Sequence, residues 1–178
     1  MRPVFVAIDF ETADYGRDSA CAVGLVRVEG SSIVAREARL IRPPRRDFMF
    51  TYIHGIEWHH VANEPTFGRV WRDLQPLLAG VEFFAAHNAS FDRSVLNACC
   101  ANARIAVPEV EFVCSMKLAR SKWDLYPTKL PDVCRHLGLE LKHHDALSDA
   151  KACAEIVLAA AQLPTAARRP VVVRRRTR

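Results

Sequence analysis

A chain of 178 residues, half of them apolar and a quarter charged, has the composition of a single globular domain with a sizeable core. No apolar run approaches the ~18 residues of a membrane span, and no signal peptide precedes the first predicted strand. We therefore expect a cytoplasmic protein without membrane contact. The six cysteines show no C-x-x-C spacing and lie mostly in apolar segments, which predicts buried thiols rather than disulfides or a zinc site.

The basic character of the chain is confined to its C-terminal end. The formal net charge is +5, and removal of the six arginines in 168–178 leaves the remainder near neutral. We expect a folded domain over 1–163 and a basic, flexible tail over 164–178. The tail could attract a polyanion or a polymerase, or it could have no partner.

The first part of the chain reads as three strands. Residues 4–12 are predicted as a strand, and the apolar run at 4–8 is typical of a strand that is covered on both faces. A second apolar segment covers 19–27, and a hairpin signal around Gly30 precedes a third strand at 33–41. Three successive antiparallel strands are predicted, followed by an irregular loop from 42 to 52.

The second part alternates between helices and strands. The predicted elements are a helix that begins at Pro65 and ends near 78, a strand at 81–86, a helix capped by Asn88, a strand at 110–114, helices at 115–121 and 130–137, and a last helix at 145–163. This order indicates an α/β fold with a mixed five-stranded sheet flanked by helices.

Two acids stand at the end of the first predicted strand. Strand side chains alternate, so Asp9 and Glu11 point to the same side, roughly 7 Å apart. Like charges on a core strand repel each other, and a hard divalent cation would relieve that repulsion. Both acids could equally reach water at the strand end.

Two further acids fall at the starts of predicted helices. Asp92 lies in the first turn after the fourth strand, and Asp149 lies in the first turn of the last helix, five residues after His144. Either acid alone could simply interact with a helix dipole. The pattern becomes informative only when all five positions are considered together.

Together these segments resemble the DnaQ-like, or DEDDh, 3′–5′ exonucleases, which have a ribonuclease H-like fold. The resemblance covers about residues 3–160, and none of the five catalytic positions is substituted. The motifs stand here as Asp9-Phe10-Glu11-Thr12, Asn88-Ala89-Ser90-Phe91-Asp92, His144 with Asp149, and the accessory stretches His54-Gly55-Ile56 and Glu64-Pro65-Thr66-Phe67.

The resemblance implies a site for two divalent metal ions, Mg²⁺ or Mn²⁺. By that resemblance Asp9 bridges both ions and Asp92 supports the second. Glu11 and Asp149 complete the first ion's site. Two such ions can clamp the attacking and leaving oxygens of a phosphodiester.

The same resemblance makes His144 the general base, since a neutral imidazole can accept a proton near pH 7. We expect His144 in the loop before the last helix, with Asp145 as a possible cap. His143 is the less favoured base because it lies six residues from Asp149. Substrate contacts are expected from Thr12, and His54 and Phe91 could contact the last base or sugar or serve only in packing.

The implied reaction is removal of nucleoside 5′-monophosphates from single-stranded DNA or RNA 3′ ends. The alternatives are a non-catalytic module that binds a polymerase or nucleic acid, and a different hydrolase on the same scaffold. A degenerate module would be expected to lack one of the acids or the histidine, and none is missing here. Whether the protein forms a homodimer stays open.

Overall fold

A computed structural model describes residues 3–162. Five strands and seven helices follow in this order: β1 Val4–Thr12, β2 Ala20–Glu29, β3 Ser32–Leu40, α1 Thr51–His54, α2 Trp58–Val61, α3 Phe67–Leu78, β4 Phe83–Ala86, α4 Ala89–Ala103, β5 Glu111–Cys114, α5 Ser115–Trp123, α6 Leu130–Leu137 and α7 Ala146–Gln162. The predicted tail at 164–178 lies outside the described residues. Among residues 3–162, no helix combines the length and apolar character needed to cross a bilayer.

The strands form one mixed sheet in the order β3-β2-β1-β4-β5. β1 pairs antiparallel with β2, which pairs antiparallel with β3, whereas β1–β4 and β4–β5 are parallel pairs. The predicted α/β architecture, with three antiparallel strands first, is therefore confirmed. β1 lies at the centre of the sheet, paired with β2 along its whole length and with β4 from Phe5 to Ala7.

The packing of both faces of β1 explains why its first five residues are all apolar. Val6, Ile8 and Phe10 pack into a core shared with α3 and α4. Phe5 and Ala7, which alternate with them, face the opposite way into a core shared with α7. Strand alternation then places Asp9 and Glu11 on the α7 side of the sheet.

The segment between β3 and β4 differs most from the prediction. The short helices α1 and α2 were not predicted, because a four-residue helix has too few positions to show a hydrophobic period. Pro65 was predicted as the first helical residue, but α3 begins at Phe67, and the isolated bridge of Thr66 with Arg42 holds the preceding chain extended. The helix is therefore shorter at its start than the sequence indicated.

The N-cap of α4 was predicted correctly in position but not in chemistry. Asn88 precedes the helix with φ 65°, in the left-handed region, and its side chain makes no capping hydrogen bond. Asparagine tolerates this conformation better than most residues. Asn88 therefore serves as a turn residue that redirects the chain from β4 into α4.

The six cysteines are free thiols, and all but Cys114 are buried. Burial raises the pKa of Cys100 and Cys134 to about 11, which keeps these thiols protonated. The predicted role of the cysteines as small apolar core residues is confirmed for those that are buried.

Gly24 sets the distance between the sheet and α7. It lies in β2 opposite Asp9, and a Cβ atom there would stand 2.1 Å from the carbonyl oxygen of Ala146 and 2.6 Å from the backbone nitrogen of Leu147. Both atoms are backbone, so neither can rotate away. The missing side chain lets the N-terminal turn of α7 rest directly on the sheet, next to Asp9 and Glu11.

We expect Gly24→Ala to destabilise the protein by about 1–3 kcal/mol, because the added methyl group must push the start of α7 away from β2. Urea unfolding followed by circular dichroism measures this change. Gly68→Ala is a suitable control, since its Cβ would stand 3.2 Å from the Ala103 Cβ and alanine favours the helix. An equal, small effect of both substitutions would show that α7 does not depend on Gly24.

Candidate active site

Three carboxylates converge where β1 ends. Asp9, Glu11 and Asp149 each offer an oxygen within 4.8 Å of the others. Asp9 and Glu11 come from the α7 face of β1, and Asp149 comes from the first turn of α7. The close approach that Gly24 permits brings these two elements together. Of the four acids that the sequence assigned to one site, these three lie together in the structure.

One oxygen of the Asp149 carboxylate accepts hydrogen bonds, and the other accepts none within residues 3–162. Its Oδ2 accepts hydrogen bonds from the His144 backbone N–H at 3.2 Å and from the His143 Nδ1 at 2.9 Å. Its Oδ1 is buried and has no hydrogen-bond partner within residues 3–162. A buried carboxylate oxygen without a partner is costly, and a cation beside it would remove that cost.

Asp92 stands slightly apart from the other three acids. It is buried in the first turn of α4, and its Oδ1 accepts the Phe10 backbone N–H at 3.1 Å. β1 pairs with β4 only from Phe5 to Ala7, so Phe10 lies beyond the last paired residue of β1. The Asp92 carboxylate accepts the hydrogen bond that a β4 carbonyl would accept if the pairing continued, and this bond holds the carboxylate beside Asp9.

Burial and mutual repulsion disfavour negative charge throughout this cluster. Burial, reinforced by Asp92, Asp149 and Glu11, raises the pKa of Asp9 well above its usual value. Burial, with Asp149 and Asp145, raises the pKa of Glu11 to about 7. Burial also raises the pKa of Asp92 to about 8, although the Phe10 amide opposes it.

The pKa of Asp149 is raised by burial as well, with His143 acting in the opposite direction. Such shifts are the signature of carboxylates arranged to bind a cation or to move protons. The cluster is thus an electrostatically costly arrangement that the fold maintains.

The loop before α7 places two histidines beside the cluster. His144 has φ 65°, and its ring stacks on that of His143 with 3.7 Å between centroids. The predicted position of His144 ahead of α7 is confirmed, and Asp145 Oδ1 accepts the Ser148 N–H at 3.1 Å as a helix cap. Burial, with neighbouring His143, lowers the pKa of His144 and so favours its neutral form.

His143 is more involved than the sequence indicated. Its bond to Asp149 was not predicted, because the family motif places its acid five residues after its histidine, and this spacing selects His144 rather than His143. The positive φ of His144 breaks that geometry and returns His143 to the carboxylate. The only sign of this contact in the sequence was that His143 is adjacent to the motif residue His144.

An open cavity of about 330 Å³ lies against these groups. This volume is within the usual range for small-molecule sites, roughly 300–1,000 Å³. Its wall includes these residues predicted for the site: Asp9, Glu11, Thr12, His54, Phe91, His144 and Asp149. Phe10, Phe50, Ile53 and His143 complete it, and were not named as site residues from the sequence.

His54 connects the accessory stretch to the end of β1. Its Nδ1 accepts the Ile56 N–H at 3.0 Å, so the proton lies on Nε2, which donates to the Thr12 carbonyl at 3.1 Å. Burial lowers the pKa of His54, which agrees with this neutral tautomer. His54 therefore braces Thr12 while its ring faces the cavity.

The donor set fits divalent metal ions with a preference for oxygen. Carboxylates from two elements lie within reach of one another, and the bare oxygen of Asp149 points to a missing partner of positive charge. Mg²⁺ and Mn²⁺ prefer oxygen ligands of this kind. Asp9, Glu11 and Asp149 would hold such an ion, and Asp92 is placed to support it.

Comparison with known proteins agrees with this geometry. The RNase_T family model, described as Exonuclease, matches residues 6–157. Exodeoxyribonuclease 10 of Escherichia coli strain K12 is 34% identical over 163 residues, covering 85% of this chain and 66% of the relative. The PolC-type DNA polymerase III of Thermotoga maritima is 30% identical over 158 residues, covering 86% of this chain but only 12% of the polymerase.

Solved structures show the same fold. Exonuclease X in complex with 5′-overhanging duplex DNA aligns with a TM-score of 0.69 and 28% identity, over 88% of this chain and 90% of that one. The nuclease domain of 3′hExo, a DEDDh family member bound to rAMP, aligns with a TM-score of 0.76 and 19% identity, over 90% of this chain and 92% of that one. The family match, the shared fold and the acid cluster at the end of β1 agree: this chain belongs to the RNase_T exonuclease family.

Proposed function

We propose that this protein is a metal-dependent 3′–5′ exonuclease that releases nucleoside 5′-monophosphates from single-stranded ends. The observation that carries the proposal is the acid cluster at the end of β1, where Asp149 lies close to Asp9 and Glu11 and has one buried oxygen without a hydrogen-bond partner within residues 3–162. A non-catalytic module would have no reason to keep three carboxylates within 4.8 Å at a cost in stability.

The four acids have different parts in this proposal. Asp9, Glu11 and Asp149 bind the metal ions directly, and Asp92 supports the second ion from its fixed position on the Phe10 amide. When bound, the ions neutralise the phosphate and stabilise the attacking and leaving oxygens. Mg²⁺ and Mn²⁺ both suit this donor set, and His143 holds the Asp149 carboxylate in orientation.

His144 is proposed as the general base. Its ring lines the cavity, its lowered pKa leaves it neutral near pH 7, and its backbone N–H fixes it to Asp149. A neutral imidazole in this place can take the proton of the attacking water. In this proposal the Thr12 backbone N–H and the Glu11 carboxylate contact the terminal 3′-OH, and Phe91 contacts the last sugar or base.

DNA is the proposed preferred substrate, because the relative that is 34% identical to this chain, with 66% of its own length covered, is named an exodeoxyribonuclease. We also propose that residues 1–163 act as one exonuclease domain in the cytoplasm. In this proposal the Arg-rich segment at 164–178 adds contacts to nucleic acid or to a polymerase. A homodimer is also part of the proposal.

Asp149→Asn is expected to lower the exonuclease rate more than about 100-fold, since losing even an indirect metal-site partner costs 10–100-fold. End-labelled DNA and RNA strands with Mg²⁺ or Mn²⁺ measure the rate, and wild type should shorten DNA faster than RNA from the 3′ end. Asp73→Asn, at an exposed position on α3 paired with Arg69, is the matched control. Absence of 3′ shortening by wild type, or full activity of Asp149→Asn, would disprove the proposal.

His144→Ala should reduce kcat by about 10²–10⁴-fold and remove the fall in rate at acidic pH that protonation of this histidine causes. His143→Ala should have the smaller effect, because its ring only orients Asp149. The measurement is kcat against pH at saturating Mn²⁺, with exposed His136→Ala on α6 as control. A larger loss in His143→Ala would assign the base to His143 instead.

The acid cluster should make metal-free protein less stable as pH rises. Asp92 has a raised pKa of about 8, so the folded state holds a proton that the unfolded state has lost, and stability falls as pH rises through that value. Between pH 7 and 8.5, with a chelator, the unfolding free energy of wild type should fall about 1 kcal/mol more than that of Asp92→Asn.

The asparagine in this variant can still accept the Phe10 N–H, so the comparison removes the titration of Asp92, together with its effect on the pKa of Asp9, without removing the hydrogen bond. Denaturant unfolding at several pH values measures both proteins, and contributions from histidines and cysteines cancel in the difference. Saturating Mn²⁺ should remove the difference in pH dependence, because the bound cation favours the charged carboxylate. Parallel pH profiles without metal would contradict the assigned electrostatics.

A further inference from the structure

The turn that follows β1 is unusually well braced. Within it, the Ala13 N–H bonds to the Ser19 carbonyl at 2.9 Å, and the Ser19 hydroxyl donates to the Gly16 carbonyl at 2.7 Å. Arg45 then bridges both acids of the turn, at 2.9 Å from Asp14 and 2.6 Å from Asp18. The backbone from 13 to 19 is thereby fixed relative to the acids on β1.

Two side chains of this turn project onto the rim of the cavity. Tyr15, which is 76% exposed, packs edge-on against Phe50 with 4.9 Å between ring centroids. The Arg17 guanidinium lies 4.6 Å from the centroid of the Phe91 ring. Because Phe50 and Phe91 both line the cavity, the turn continues its wall outward.

The two arginines near this turn differ in what they can still bind. Arg45 is committed to two carboxylates, whereas exposed Arg17 forms no ion pair within residues 3–162. A guanidinium stacked on a ring keeps its N–H groups at its edges, where they can donate to a phosphate. Arg17 is therefore a positioned cation whose hydrogen-bonding edges are available.

We propose that Arg17 binds a backbone phosphate of the substrate strand, upstream of the terminal nucleotide that occupies the cavity. The inference rests on the proposed exonuclease function and adds a binding residue outside the family motifs. Phe91 lines the cavity and Arg17 stacks on its ring, so a strand that leaves the cavity along this ring comes within reach of the guanidinium. The braced turn holds the charge in place before substrate arrives, which lowers the ordering cost of binding.

The experiment compares two substrates of different length. One is a single-stranded oligonucleotide; the other is the p-nitrophenyl ester of thymidine 5′-monophosphate, which has no upstream phosphate. In Arg17→Ala, kcat/KM for the oligonucleotide should fall about tenfold relative to that for the ester, as expected for loss of one charge-assisted contact. The slope of log(kcat/KM) against log salt concentration should become shallower by about 0.7, as for one phosphate contact to a single strand.

One variant tests whether the charge of Arg17 matters, and a second controls for the loss of an exposed arginine elsewhere. Arg17→Lys keeps the charge and should retain the salt dependence. Arg104→Ala is the control: Arg104 is also exposed, but it ends α4, whose 15 residues place it roughly 22 Å along the axis from the cavity end. Equal losses on both substrates, an unchanged salt slope in Arg17→Ala, or the same change in Arg104→Ala would overturn the proposal.

A methylphosphonate scan identifies the phosphate. One neutral linkage at a time is placed upstream of the 3′ end, and the linkage that Arg17 contacts should lower wild-type efficiency while leaving Arg17→Ala unaffected. If wild type hydrolyses neither substrate, the proposed function fails and Arg17 is judged by binding alone. Fluorescence anisotropy with a labelled oligonucleotide and Ca²⁺ should then show about tenfold weaker binding by Arg17→Ala, and equal binding would reject it.

Discussion

The crowding of carboxylates at the end of β1 is the constraint on which the rest of the site depends. Asp9, Glu11 and Asp149 each have a carboxylate oxygen within 4.8 Å of the others. The Asp92 carboxylate adds to the electrostatic repulsion on Asp9. Each group is partly or fully withdrawn from water, so each would prefer to be neutral. An arrangement that costs stability in this way is expected where charge has a purpose, and binding of divalent cations supplies one.

The scaffold maintains this arrangement through backbone features rather than through counter-charges. Gly24 allows α7 to rest on β2, which brings Asp149 to the strand. β1 extends past the residues that pair with β4, so the Phe10 N–H is free of β4. Asp92 accepts this N–H, which fixes its carboxylate. His54 braces the carbonyl of Thr12 from the other side. These contacts fix the acids before any metal binds, which is the preorganisation that catalysis by electrostatic stabilisation needs.

Much of the fold could be predicted from the sequence, because it depends on local periodicity, whereas the four acids were assigned to one site by the resemblance of their motifs to a known family. Strand alternation placed Asp9 and Glu11 on one face, and helix starts marked Asp92 and Asp149. The roles of Gly24, His143 and Arg17 could not be predicted, because each depends on where a distant element lies. Glycine within the apolar strand β2 was a signal of close approach, but nothing local named α7 as the neighbour. For His143, the contact with Asp149 depends on the left-handed backbone conformation of His144, which nothing in the sequence indicated.

The most direct test of this account is calorimetric titration of Mn²⁺ into the metal-free protein at pH 7, in buffers of different ionisation enthalpy. Carboxyl groups with raised pKa values must release protons to bind a cation, so saturable binding should release about one proton or more per protein. Asp9→Asn should weaken the binding and reduce the proton release. Binding of equal strength in Asp9→Asn, or binding by wild type without proton release, would contradict the central role assigned to the carboxylate cluster.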